Sequence, residues 1–228
     1  MKINAIDMPK LESPFKREIV NGIYICVPKI AKGYDWVFEE GVAAVEKLDG
    51  TNVSIEVKGG KIIKVRNRKN IIDIWKKGNK RFAVGVMEAI EREYVKLSNL
   101  EDGVYFGELI GEMIQANSYK IEGQLWIPFG ILKDKCKYKF WDGVVEEMKH
   151  VGETEKFEKV SNIFKGLWSL YKRQKGVKGE VDEKTGFEGM AAEGIVFYGK
   201  DGQMAKLRRD MFDWFAGERH GGFKPFLD

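Results

Sequence analysis

Glu46-Lys47-Leu48-Asp49-Gly50-Thr51-Asn52 runs directly into Val53-Ser54-Ile55-Glu56-Val57-Lys58. In the second run Val53, Ile55 and Val57 alternate with Ser54, Glu56 and Lys58, the period-two pattern of a half-buried strand. Gly59-Gly60 supplies a turn and residues 62–65 return. Residues 42–65 therefore read as strand-rich, with a hairpin immediately behind Lys47.

Beyond this hairpin, Phe82, Val86, Ile90, Tyr94 and Leu97 recur at helical spacing and predict an amphipathic helix over residues 80–97. Short strands are expected at 103–109, 124–132 and 137–145. A second helix is expected at 161–173, with Ile163, Phe164, Leu167, Leu170 and Tyr171 on its buried side. Residues 172–189 are glycine-rich and charged and read as a mobile loop. Strands at 194–198 and 203–207 flank the turn Gly199-Lys200-Asp201-Gly202. Strands, helix, strands, helix, hairpin is an α+β order with mostly antiparallel pairing. Neither a GxGxxG nor a GxxxxGK[ST] loop occurs, which argues against the dinucleotide-binding and Walker-type phosphate cradles.

The chain has 228 residues, 43% of them hydrophobic and 32% charged, enough to bury a sizeable core as one domain. It has no apolar run of membrane-spanning length and no secretory leader, so a cytoplasmic protein without a membrane partner is expected. Cys26 and Cys136 stand far apart, outside any CxxC spacing. With only His150 and His220 as histidines, metal binding would rest on carboxylates, which favours Mg²⁺ or Mn²⁺ over zinc. The 39 basic residues nearly balance the 35 acidic ones, and a net charge of +4 does not by itself indicate nucleic-acid binding.

A chain this rich in lysine and glycine would show a Lys-x-Asp-Gly string by accident about one time in five or ten, so the string alone is weak evidence. Five further runs come after it in an order that chance does not readily supply: Arg66-Asn67-Arg68, Phe106-Gly107-Glu108-Leu109, Phe140-Trp141-Asp142, Glu193-Gly194-Ile195-Val196 and Lys206-Leu207-Arg208. The series resembles the motif set of the covalent nucleotidyltransferases, the superfamily of ATP-dependent DNA and RNA ligases and mRNA-capping enzymes. Gly50-Thr51-Asn52 after the lysine, and Gly107-Glu108-Leu109-Ile110-Gly111 with Gln115 and Tyr119 beyond it, look most like RNA ligases related to the phage T4 type 2 enzyme. The resemblance implies an α+β nucleotidyltransferase (ATP-grasp-like) core of mostly antiparallel sheets with flanking helices. The 20 residues after Arg208 leave no room for an OB-fold, so residues 1–228 are expected to form a single adenylyltransferase domain.

The resemblance implies roles residue by residue. Lys47 would take AMP from ATP as a lysyl-AMP phosphoramidate. Glu46 would border the nucleotide, Glu108 would hold the ribose hydroxyls and Trp141 would stack on the adenine. Glu193 would bind Mg²⁺ (or Mn²⁺) or orient the lysine, and Lys206 and Arg208 would neutralise the α-phosphate. Arg66 or Arg68, with Arg68 favoured, would contact the nucleotide or an RNA 5′-phosphate. Asp49 and Asn52 would serve RNA binding or the later steps. Trp141 stands where phenylalanine is commoner, and Arg208 where lysine is.

The chemistry of the residue types agrees. An ordinary lysine amine, with a pKa near ~10.4, is protonated at neutral pH and cannot attack phosphorus. Nearby cations favour its neutral form, and Lys206, Arg208 and a bound Mg²⁺ are the candidates. Lys206 and Arg208, two apart on a strand, project from one face. Taken singly, each site has a plainer reading: Glu108 and Glu193 as solvated acids, one of Phe140 and Trp141 as a core aromatic, Arg66, Arg68 and Lys69 as a charged hairpin edge, and Asp49-Gly50 as a turn.

The substrates expected are ATP and RNA carrying 5′-phosphate and 3′-OH ends. An accessory protein or a homo-oligomer would replace the missing C-terminal domain, and lysine adenylylation is expected to outpace end joining. The rivals are a DNA ligase, a guanylyl-transferring capping enzyme and a non-catalytic RNA-binding relative.

Overall fold

The computed structural model describes residues 7–115, 117–174 and 190–219. In chain order the strands and α-helices are β1 (Phe15–Val20), β2 (Ile23–Ile30), β3 (Ala43–Lys47), β4 (Thr51–Lys58), β5 (Lys61–Asn67), β6 (Asn70–Ile71), α1 (Lys80–Glu91), β7 (Gly103–Gly111), β8 (Gln124–Pro128), α2 (Phe129–Lys135), α3 (Trp141–Met148), α4 (Glu153–Lys165), α5 (Leu170–Gln174), β9 (Gly194–Tyr198) and β10 (Met204–Arg208). Every strand pair among the described residues is antiparallel, and these residues adopt the α+β order with flanking helices. The chain divides into two compact units that interleave in sequence, and the division falls between Lys47 and Leu48.

One unit holds Leu48–Lys135 with residues 7–10. Its sheet has the order β6-β5-β4-β7-β8, with the hairpin turn Gly59-Gly60 between β4 and β5. Alternation sorts β4: Val53, Ile55 and Val57 are buried, and Val53 lies opposite Gly107 while Ile55 lies opposite Tyr105. α1 packs on β7 and β8 through the buried Phe82, Val86 and Ala89. Gly85 makes that approach possible, because a Cβ there would stand 2.2 Å from Leu109 Cδ1. The helix stops at Glu91, short of the expected 97. Glu93 turns to φ 55°, and Glu93 N–H and Tyr94 N–H donate to the carbonyls of Ile90 and Ala89, a Schellman cap built on a residue other than glycine. The strand expected at 124–132 ends at Pro128 and continues as α2.

The other unit holds Leu11–Lys47 and the described residues from Cys136 onward. It contains the β1-β2 hairpin and a three-stranded sheet of order β10-β9-β3. Ala44, Ile195, Phe197, Ala205 and Leu207 on one face of that sheet join Trp141, Val145 and Met148 of α3 and Val160 and Phe164 of α4 in a single core. The strand expected at 137–145 is a helix for most of its length. Only the backbone around Cys136, Lys137 and Tyr138 pairs with β3, and from Trp141 the apolar residues 141, 145 and 148 adopt helical spacing. The helix expected at 161–173 is two helices. α4 begins at Glu153 and ends at Lys165, with Gly166 as its cap, after which Leu167 and Ser169 exchange backbone hydrogen bonds with Met190 and Ala192. That long-range pairing outweighs the local helical pattern. Residues 172–174 fall in α5, and the rest of the expected loop, 175–189, lies outside the described residues.

Candidate active site

The three-stranded sheet sets the geometry around Lys47. Its Cα partner on β9 is Gly194, and Gly194 in turn is opposite Arg208 on β10. Directly opposed residues share a face, so Lys47, Gly194 and Arg208 form one row across the sheet, with Lys206 one step along β10 on the same face. Gly194 is required at the centre, since a Cβ there would stand 2.1 Å from the carbonyl oxygen of Leu207. Glu193, immediately before β9, accepts from Lys47 Nζ at 2.5 Å, and both side chains are largely shielded from solvent. An ammonium donating to a carboxylate has no lone pair to offer, so attack by Lys47 requires this pair to part.

Lys206 is held below the ordinary lysine range, first by burial and then by the charges of Arg208 and Lys47, against the opposing pull of Glu12 and Glu193. Arg208 Nε donates to Asp210 Oδ1 at 2.9 Å. The three cations crowd one face and repel one another, an arrangement that an anionic phosphate would relieve.

Glu46 points the opposite way. Alternation puts it on the core face of β3, between Ala44 and Ile195, and it is 1% exposed. Its Oε2 accepts the backbone N–H groups of Leu170 and Tyr171 at 2.7 and 2.8 Å. Burial pushes its carboxyl up to about 7, with the hydrogen bonds from Ser169 and the two amides pulling the other way. Its Oε1 has no hydrogen-bond partner among the described residues.

In the five-stranded sheet, Asn52, Glu108 and Ile127 form one cross-strand row, and Arg66, Ser54 and Phe106 form the next row on the same face. Arg66 is 7% exposed and pairs through one terminal nitrogen with Glu56. Its other terminal nitrogen, Ser54 Oγ and Asn52 Oδ1 are buried with no partner among the described residues. Such groups are costly to bury unless a ligand completes them. Arg68 sits in the exposed turn between β5 and β6 with φ 53°, its N–H on the Asn52 carbonyl. Asp49 accepts from Ser118 Oγ at 2.6 Å, its N–H donates to Tyr119 Oη, and Gln115 Nε2 donates to the Gly50 carbonyl. These contacts pin the Asp49-Gly50 turn. A Cβ on Gly50 would meet the Leu109 carbonyl at 2.4 Å and Glu108 Cγ at 2.8 Å, so glycine lets the turn lie against the strand carrying Glu108.

Trp141 does not offer a ring for stacking. Its indole is fully buried, 4.8 Å from the Phe197 ring centroid, with Nε1 donating to the Val37 carbonyl. The expected strand is a helix, and the helix turns this residue inward. Phe140, by contrast, is 43% exposed. Phe129, which sequence reasoning passed over, is partly exposed at the start of α2, two residues after the Ile127 that faces Glu108. An aromatic just beyond the apolar run Leu125-Trp126-Ile127-Pro128 was the available signal.

Among the described residues no three His, Cys, Asp or Glu side chains gather as a metal site. Mg²⁺ held through one carboxylate and substrate phosphates needs no such cluster, and Glu193 fits that pattern. No helix among the described residues is long and apolar enough to cross a membrane.

The RNA ligase family model matches residues 40–212, and the chain belongs to that family. Among solved structures it is similar to Naegleria gruberi RNA ligase, in a variant with AMP and Mn (19% identity, TM-score 0.45, covering 87% of this chain and 59% of that one). Two further forms match: one with pyrophosphate (20%, 0.46, 88% and 61%) and a variant with ATP and Mn (18%, 0.43, 87% and 59%). The chain thus spans about three-fifths of the length of these structures. No curated protein sequence matches it.

Proposed function

We propose that the protein is an ATP-dependent RNA ligase in which residues 1–228 act as one adenylyltransferase domain. The observation that carries this reading is the row Lys47, Gly194 and Arg208, with Glu193 on the lysine amine and Lys206 alongside. On this reading Lys47 Nζ, released from Glu193, gives a proton to solvent water and attacks the α-phosphorus of ATP. The nitrogen–phosphorus bond forms as the bond to pyrophosphate breaks. Lys206 and Arg208 offset the charge that develops on the α-phosphate oxygens. Mg²⁺ or Mn²⁺, held through Glu193, would supply further charge neutralisation. AMP then passes to an RNA 5′-phosphate, and a 3′-hydroxyl displaces it.

Glu108 serves the ribose. Phe129, rather than the buried Trp141, offers the stacking face. Arg66, with its unpartnered nitrogen beside Asn52 and Ser54, takes the phosphate contact in preference to the exposed Arg68. Asp49 holds the turn that follows the lysine in the chain. The ligands ATP, AMP and Mn in the Naegleria gruberi structures are in keeping with this reading.

Incubation with radiolabelled ATP and Mg²⁺ is expected to label the protein, and Lys47→Ala to remain unlabelled. Equal labelling of the variant would refute the assignment. Preference for GTP would indicate a capping enzyme, transfer to DNA ends a DNA ligase, and RNA binding with no adduct a non-catalytic relative.

A further inference from the structure

The net charge of +4 conceals a strong local imbalance. Residues 58–81 carry ten basic side chains (Lys58, Lys61, Lys64, Arg66, Arg68, Lys69, Lys76, Lys77, Lys80 and Arg81) against one acid, Asp73. Ten minus one leaves +9 here and, from +4, a balance of −5 over the rest of the chain. All of these residues lie in one compact unit, from the end of β4 through β5, the turn to β6 and the segment after it to the first turn of α1. Apart from Arg66 and Arg81, every one of the ten is exposed.

Apolar side chains interleave with this charge on the outside of the protein. Trp75 is 85% exposed and Ile71 64%, with Ile63 and Ile74 also exposed. The segment that presents Trp75 has a defined local structure. Asp73 Oδ1 accepts the Trp75 N–H at 3.0 Å, Asn79 Nδ2 donates to the Asp73 carbonyl, and Ile72 N–H returns to the Val65 carbonyl. The one acid of the segment is thus engaged in a turn that supports the exposed indole. An outward indole costs hydration free energy, and an exposed tryptophan in a lysine-rich segment suits a ligand with both π-faces and phosphates.

We infer that this edge of the five-stranded sheet, with Lys61, Lys69, Trp75, Lys76 and Lys77, is a binding surface for a single-stranded polynucleotide, separate from the residues assigned to chemistry. The lysines contact successive phosphates and Trp75 stacks on a base. Sequence-tolerant strand binding uses this combination of a basic track and an exposed aromatic. The inference rests on the ligase reading only for the kind of strand, RNA. On that reading the surface holds the substrate strand away from the reacting ends, and so sets affinity rather than bond formation.

The test measures anisotropy of a labelled, unstructured oligoribonucleotide lacking a 5′-phosphate, across a salt series, with the full chain. Lys69→Ala/Lys76→Ala/Lys77→Ala is expected to lower the slope of log K against log salt by about 2, at roughly 0.7 per phosphate contact on a single strand. Trp75→Ala is expected to bind roughly 5- to 100-fold more weakly with little change in slope. Binding of RNA is also expected to quench the fluorescence of wild type but not of Trp75→Phe. Urea midpoints equal to wild type establish that the variants are folded.

Wild-type affinity and slope in both the triple variant and Trp75→Ala would overturn the proposal. So would binding of phosphatidylserine vesicles through these residues in place of RNA. Loss of the Lys47 label with intact, lysine-dependent RNA binding would count against the ligase reading and leave this surface standing, and the converse result would do the reverse.

Discussion

Replacing Glu46 with glutamine tests how the core face of β3 handles a charge. The carboxyl is 1% exposed, and burial raises it from its ordinary 4.5 to about 7. That rise of about 2.5 pH units corresponds to about 3 kcal/mol, at ~1.36 kcal/mol per unit. The sign is set by proton uptake. Between pH 4.5 and about 7 the folded protein keeps a proton that the unfolded chain has released, so stability falls as pH rises through this window and levels off above it.

Glu46→Gln keeps an oxygen to accept from Leu170 and Tyr171 and has no charge to bury. Below the window the two proteins are expected to be similar in stability. Above it the variant should gain on wild type by up to about 3 kcal/mol. Urea unfolding monitored by tryptophan fluorescence, on both proteins across the window and above it, measures the difference directly. A gap that stays the same at every pH would refute the claim that burial of this carboxyl governs its protonation.

Gly194→Ala is expected to force β9 from β10, because its Cβ would meet the Leu207 carbonyl at 2.1 Å. A loss of about 1–3 kcal/mol in urea unfolding, together with loss of ATP labelling, would support the row, and wild-type behaviour would contradict it. Trp141→Ala should cost about 3–5 kcal/mol as a core deletion, measured by thermal or urea unfolding. Phe129→Ala should instead weaken ATP binding at nearly unchanged stability, and Phe140→Ala should do neither; a Phe140 effect on ATP binding would move the stacking role to that residue. Arg66→Ala is expected to slow transfer of AMP to RNA far more than Arg68→Ala, and the reverse order in a single-turnover transfer assay would restore Arg68.

Much of this protein was legible along the chain. The hairpin behind Lys47 comes from strict alternation and Gly59-Gly60, and the two final strands from the same local rule. Local sequence was a poorer guide at 137–145 and 161–173. There, short apolar runs fit both periods, and pairing of Cys136 to Tyr138 with β3, or of Leu167 to Ser169 with residues 190–192, decided the outcome.

The linear sequence by itself determined which residue types could perform the chemistry: the lysine of a Lys-x-Asp-Gly string, then Glu108, Glu193 and the Lys206-x-Arg208 pair, in order. Only the tertiary structure decided where each of them points and what it touches. Strand register brought Gly194 between Lys47 and Arg208 and put Glu193 on the amine. The same alternation turned Glu46 into the core, and a helix in place of a strand turned Trp141 inward. The physical reason is that a side chain's direction depends on the period of its element and on the partner strand's register. Neither is carried by the residue itself.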